Sequence, residues 1–267
     1  MKKATRIGLW ASGSLVALAA IALGYAWQPA IAPLEGTPGP FSAEQIARGA
    51  VETLRLLAPM TSAALAGGCV IALQATLLHW GVWQTYAVAG LVLIAAGFVA
   101  AVLTVAMKWL CVGRIRPGDH VLWSRFVWLN ELQDQFVETV AGPWFLAHTL
   151  GTGSLNMFLR ALGARVGRGA WLDSYWLPEA DLAAVGAGAT VGPGCVVQTH
   201  LFQDRVMSLD EVQIGAGATL GPHSVALPAA SVGDAATVGP ASLVMRGDQV
   251  PPATRWQGNP IEVWRQR

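Results

Sequence analysis

"IGAGATLGPHSVALPAASVGDAATVGPASLVMRGDQ", residues 214–249, decides the fold. Read in sixes, it opens on Ile214, Leu220, Ala226, Val232, Val238 and Val244. Glycine usually follows the opener, and the fifth place holds a small residue in all but the last of these hexads. An α-helix needs apolar residues at a spacing of 3.6 and is weakened by this many glycines. Strict alternation fails as well. A six-residue period with glycine-rich corners is the mark of a hexapeptide β-helix. Each hexad makes one short strand and one turn. The opener faces inward, the small fifth residue leaves room inside a narrow prism, and three hexads complete one coil.

The same period runs upstream from Val185, Val191 and Val197, and an earlier pair opens at Val166 and Leu172. Then it breaks. "VGPGCVVQTHLFQDR", Val191 to Arg205, begins as regular hexads and ends on His200, followed by a polar insert over residues 203–213. The expected fold class is therefore a parallel, all-β β-helix over residues 161–267, behind a membrane α-helical N-terminal part.

The N-terminal part shows in the distribution of charge. The chain is 54% hydrophobic and 12% charged, where soluble domains carry about 25% charged residues. Of the 33 charged residues (17 Lys and Arg plus 16 Asp and Glu), 8 lie in residues 1–107 and 25 in residues 108–267. Residues 7–27 are uncharged and long enough to cross about 30 Å of hydrocarbon as a helix. A signal peptide is the rival, but the apolar run is long for one and "AWQPAIAP" is a poor cleavage site. An uncleaved span is expected. Residues 56–107 carry no Asp, Glu, Lys or Arg, which fits two more spans at 60–79 and 87–107. "HWGVWQTY" would join them as an aromatic interfacial turn. "FSAEQIARGAVETLRLLAP" reads as an amphipathic helix with Ser42 as its N-cap.

Residues 1–110 thus form a transmembrane domain and residues 111–160 a connecting segment at the membrane surface. Within it, "TVAGPWFLAHTLGTGSLNMFL" (139–159) is uncharged but broken by Gly, Pro and Asn, as in a re-entrant segment. "VLWSRFVWLN" reads as a tryptophan-rich anchor at the membrane surface. Lys2, Lys3 and Arg6 favour a cytoplasmic N-terminus, while Lys108, Arg114, Arg116 and Arg125 favour a cytoplasmic side after the third span. Three spans cannot satisfy both, so the parity stays open. The β-helix is expected on the cytoplasmic side of an inner or plasma membrane.

A net charge of +1 gives no case for nucleic acid binding. Cys69, Cys111 and Cys195 are odd in number and scattered, which supports neither a disulfide framework nor a zinc site. No metal is expected. His79, His120 and His148 have no partner pattern and read as interfacial or structural.

Residues 214–263, closing in "VPPATRWQGNP" (Val250–Pro260), resemble the C-terminal half of the left-handed β-helix acetyltransferases. That resemblance covers roughly residues 160–265. The apolar spans, then "LRALGARVGRGAWLDSYWL" and "VVQTHLFQDRVMSLDEVQIGAGATLGPHSV", resemble the C-terminal region of poly-lysine-synthetase-type nonribosomal peptide synthetases. In that family three such modules follow an adenylation and a carrier domain. One module implies a stand-alone relative or a fragment.

The acetyltransferase resemblance implies left-handed coils, a homotrimer, and transfer of an acyl group from a coenzyme A thioester to a hydroxyl or amine acceptor. It implies that His200 is the general base, in a cleft shared with a neighbouring subunit. Histidine suits that task because its ordinary pKa of about 6.5 leaves a neutral imidazole near neutral pH. Asp204 or Glu211, both on the insert, would orient the imidazole. Thr199, Arg205 and His223 would lie near the acceptor. Arg246, Arg255, Trp256 and Gly258 would lie near the cofactor, where arginine clamps phosphate and tryptophan stacks on adenine. The synthetase resemblance implies an alternative donor, a carrier-protein phosphopantetheine thioester, and hence an aminoacyl or peptidyl transferase. A third reading is a non-catalytic trimeric scaffold, in which His200 would be dispensable.

Overall fold

Buried aliphatic side chains repeated every six residues stack only if the chain returns to the same side every third hexad, and the pairing shows that return. The computed structural model describes residues 43–264. The expected span at 7–27 and the Ser42 cap lie outside them. Parallel two- and three-residue strands form three sheets. On the first side Val166, Val185, Ile214, Val232 and Val250 stand in register. The second carries Leu172, Val191, Leu220, Val238 and Trp256. The third carries Val197, Ala226 and Val244. The sequence-derived coil is present, opener by opener.

All of the aliphatic openers are buried, and so are the small fifth residues Ala189, Cys195, Ala218, Ser224, Ala230, Ala236 and Ser242. Each buried Val, Leu or Ile contributes about 1.5–3 kcal/mol, so stacked openers supply the core that single two-residue strands cannot. The fourth residue of most hexads turns the corner in the left-handed region, at Gly169, Gly188, Gly194, Gly217, His223, Ala229, Ala235, Ala241, Gly247 and Ala253. Glycine adopts this conformation freely, and alanine at a modest cost.

The chain divides into two compact units, one through Leu57 and the other from Ala58. In the first, helix α1 spans Ala43–Arg55, as the amphipathic stretch predicts, and Arg55 pairs with Glu52 at 3.0 Å.

Helix α2, Leu57–Trp80, and helix α3, Val82–Cys111, follow. They are long and apolar enough to cross a membrane by length and composition. Both exceed the spans expected at 60–79 and 87–107, because the only break between them is Gly81, at φ +92°. Many of their large apolar side chains are exposed, among them Ile71, Leu78, Leu91, Ile94 and Leu110.

The second unit holds the remaining helices together with the coils, so residues 110 and 160 mark no border between compact units. Residues 139–159 are not one span. A ten-residue π-helix, Val137–Leu146, packs against α3. Gly97 allows that approach, since a side chain there would strike the Trp144 carbonyl. After a turn comes helix Gly153–Leu162. The expected tryptophan anchor is mostly helix Arg125–Phe136, capped by Ser124. Its Trp128 is buried and only Trp123 is exposed.

Candidate functional site

The third side of the prism carries two irregularities, in adjacent coils. In the lower coil, Leu172 and Val185 are 13 residues apart instead of 12 (185 − 172), although both stand in register with later openers. The extra residue is absorbed at a short 3₁₀ turn, Ala180–Leu182. Glu179, which leads into that turn, has no solvent exposure. In the upper coil the chain reaches His200, the fourth residue of its hexad, where a left-handed corner is due. No corner is turned. The backbone stays extended and leaves the prism as a hairpin, His200–Gln203 paired with Val206–Leu209. Asp204 and Arg205 form its two-residue turn, at φ +51° and +63°, both of the sign that a type I′ hairpin requires.

The hairpin does not stand free. Strand Gly118–Val121 pairs with its second strand, and Ser208 Oγ donates to Asp119 Oδ1 at 2.6 Å. One face of this three-stranded sheet carries Met207 and Leu209, buried with Ile115, Val127 and Leu182. His200 and Phe202 alternate onto that same face, because residues two apart share a face. The ring of Phe202 meets the imidazole edge-on at 5.1 Å.

Glu179 collects three side-chain donors. His200 Nδ1 lies 2.9 Å from each carboxylate oxygen. Thr199 Oγ1 donates to Oε2 at 2.5 Å, and Asn130 Nδ2 to Oε1 at 2.9 Å. The Glu179 backbone N–H in turn donates to Thr199 Oγ1 at 3.2 Å. Converging donors are what a buried carboxylate needs. A carboxylate accepts, so Nδ1 carries the imidazole proton and Nε2 keeps its lone pair in the neutral ring. The His200 side chain is 16% exposed. Such an arrangement can take a proton from a hydroxyl or amine brought to Nε2.

Most of the other expected site residues lie elsewhere. The carboxylate at Nδ1 is Glu179, not Asp204 or Glu211. Asp204 is exposed at the hairpin tip with Arg205, and Glu211 pairs with Arg165 at 2.9 Å. Thr199 is completely buried and binds Glu179, so it supports the carboxylate and cannot touch an acceptor. His223 turns a corner after the second side, at φ +57°, packed over Gly194. Arg246 and Arg255 are exposed on the last coils. Trp256 fills an opener slot and packs on the end of the core, with its indole N–H donated to Thr254 at 2.9 Å. That packing replaces the adenine stacking expected of it. Gly258, at φ +121°, donates its N–H to Ser242 Oγ at 3.0 Å, which makes it a turn residue.

Burial pushes the Cys195 thiol above its ordinary range, which disfavours the thiolate. His120 stacks on Phe126 at 3.9 Å, and His148 Nε2 lies 3.2 Å from the Pro143 carbonyl. Among the described residues no cluster of three or more metal-ligating side chains occurs.

Glu179, Asn130 and Asp181 escape the sequence reading, and Lys108 is given a different place by it. Lys108, expected as a charge at the membrane surface, is 2% exposed and pairs with Asp181 at 2.7 Å. One signal was available for Glu179: the 13-residue interval places an extra residue in the coil beneath His200.

No family model matches the chain. Among curated proteins, Delta-poly-L-ornithine synthetase of Acinetobacter baumannii (strain AB307-0294) is 34% identical over 226 residues, 82% of this chain and 17% of that protein. The chain spans about one-sixth of the length of the curated relative it matches. It is a homologue of one segment of that synthetase. Among solved structures, the hexapeptide-repeat-containing acetyltransferase VCA0836 of Vibrio cholerae is 16% identical with a TM-score of 0.36, over 41% of this chain and 77% of that one. A maltose O-acetyltransferase of Clostridium difficile 630 is 18% identical with a TM-score of 0.33, over 42% and 73%.

Proposed function

We propose that this homologue of a synthetase segment is a membrane-anchored acyltransferase with His200 as its general base. The observation that carries the reading is the bond from His200 Nδ1 to the buried Glu179 carboxylate. It leaves Nε2 as the proton acceptor, in the relation that orients a catalytic imidazole. Nε2 removes the proton from a hydroxyl or amine of the acceptor. The freed oxygen or nitrogen attacks the thioester carbonyl, and the C–S bond breaks. The departing thiolate takes the proton from the imidazolium, which yields an ester or amide and a free thiol.

The proposed donor is a coenzyme A thioester. Arg246 and Arg255, exposed on the last coils, suit its phosphates. The homology to a synthetase favours one alternative, a phosphopantetheine thioester held by a carrier protein. A thiol-release assay on the purified chain separates the two. Acyl-coenzyme A and acyl-carrier thioesters are offered in parallel, and release from neither would end the acyltransferase reading. An inert scaffold would have no use for a buried carboxylate aimed at a partly exposed imidazole.

The coils are proposed to be left-handed and the molecule a homotrimer. The outward residues of the second side run Trp171, Thr190, Thr219, Thr237 and Arg255, a threonine ladder at its middle. Those of the third side are Val196, Val225 and Leu243, with Met245 and Trp176 exposed beside them. An apolar side ending at His200 suits cover by a second copy, and cyclic symmetry closes such contacts. Mass measurement in detergent tests this, and an active monomer would sink the shared cleft. Membrane anchoring draws on the exposed apolar side chains of α2 and α3, with the coils placed on the cytoplasmic side. A carbonate wash should leave the chain with the membrane.

A further inference from the structure

We propose that Asn130 and the Lys108–Asp181 pair are positioning residues for His200, so that the helical part of the chain sets the base carried by the coils. The proposal rests on the reading of His200 as base. Glu179 can orient an imidazole only if its own carboxylate is held, and the turn that follows it is three residues long. Two helices hold that turn. Asn130, 2% exposed on helix Arg125–Phe136, donates to Glu179 Oε1 at 2.9 Å. Lys108, near the end of α3, meets Asp181 Oδ2 at 2.7 Å, with both side chains almost wholly buried. The Ile115 backbone N–H adds a bond to the same oxygen at 3.2 Å. Gly163 backs onto Asp181 so closely that any side chain there would collide with it.

A buried ion pair is a poor source of stability, because desolvation offsets most of the attraction. What it does supply is a unique arrangement: Asp181 has one place to go, and Glu179 lies two residues away. Asn130 completes the restraint. With Thr199 on one carboxylate oxygen and Asn130 on the other, the plane of the carboxylate is set, and His200 must present Nδ1–H to it. Loss of either restraint lets the carboxylate rotate, and the imidazole then divides between its two tautomers.

The test uses the full chain in detergent, labelled with ¹⁵N-histidine, with the His200 signals assigned by their loss in His200→Ala. The variants are Asn130→Leu and the double replacement Lys108→Met/Asp181→Leu, which keeps apolar volume without leaving a lone buried charge. In the parent the neutral ring should carry its proton on Nδ1. Each variant should show a mixture of tautomers, with turnover lower by about 10- to 100-fold, the effect of a small misplacement. KM for the donor should stay within about twofold, since binding is not the step affected. A folded variant that keeps the parent tautomer overturns the proposal, whether or not its turnover falls. If the double variant does not fold, Asn130→Leu decides alone. If the parent releases no thiol from any donor, it is the base reading that fails. The tautomer measurement still answers whether the helices position the imidazole.

Discussion

The corner that closes the third side of the prism can be compared across coils. At Ala229 and Gly247 the backbone enters the left-handed region, at φ +62° and +78°, and the coil continues. At His200, the equivalent fourth residue, the chain runs straight out into the hairpin. The next opener, Ile214, comes 17 residues after Val197 where 6 would do, so 11 residues are inserted. The coil beneath carries an insertion of one residue, between Leu172 and Val185, and that brings Glu179 under His200. Regular coils stack identical corners and create no chemistry. The site arises where a long and a short interruption fall on the same side in consecutive coils, each supplying one member of the pair.

The sharpest way to break this comparison is to remove the member at the long interruption. His200→Ala should lower turnover by about two to four orders of magnitude, the usual share of a general base. The coils should be intact, because the side chain lies outside the stack of openers. Thiol release and a melting curve on the same sample check both halves. A variant that retains most of its turnover would return His200 to the ordinary corners.

Next in size is the short interruption. Glu179→Gln keeps the shape of the side chain but replaces an acceptor of three donors by an amide, which must then offer an N–H to one of them. The imidazole loses the reason to keep its proton on Nδ1, and turnover should fall by about two orders of magnitude. Glu211→Gln, which touches the exposed pair with Arg165 and a 3.4 Å contact from Gln213 Nε2, should leave turnover within about twofold. Reversal of that order would hand the orienting role back to the insert.

The two interruptions also differ in how far the sequence discloses them. An 11-residue gap in a six-residue period is conspicuous, and it opens at a histidine. One extra residue in 13 leaves the composition unchanged and slips the six-residue frame by only one between Leu172 and Val185, so Glu179 passes as coil. Asn130 is 49 residues from Glu179 along the chain, and periodicity does not reach across such a distance. Lys108 misleads for another reason. A lysine after an apolar run is the ordinary sign of a membrane boundary, and only packing shows that it turns inward to Asp181. Trp256 was legible and missed: counting 18 residues on from Val238 puts it in an opener slot. Residue type pointed to adenine, and position pointed to the core.

The glycines sharpen the comparison from the regular side. Gly186 follows the opener Val185, and a Cβ there would sit 2.5 Å from the Ala216 backbone nitrogen in the next coil. Backbone cannot yield as a side-chain end can, so Gly186→Ala should force two coils apart. The expected loss is about 1–3 kcal/mol, as for overpacking in a core, read as a lower melting temperature with turnover per folded molecule little changed.

Gly217 gives the smallest effect and the cleanest control. It turns the corner after the first side, at φ +65°, with nothing within 4 Å of the place a Cβ would take. The equivalent residues in the following coils are Ala235 and Ala253, both at φ +54°. Alanine is therefore already tolerated twice at this corner. Gly217→Ala carries the left-handed penalty of about 1 kcal/mol, partly offset because alanine has less freedom to lose on folding. A net loss below that of Gly186→Ala is expected, measured as paired melting curves. If Gly217→Ala proved the more damaging, corner conformation and not close stacking would be what the glycines of this repeat provide. The failed corner at His200 would then be a costly departure, and not a place where the coil simply continues in another direction.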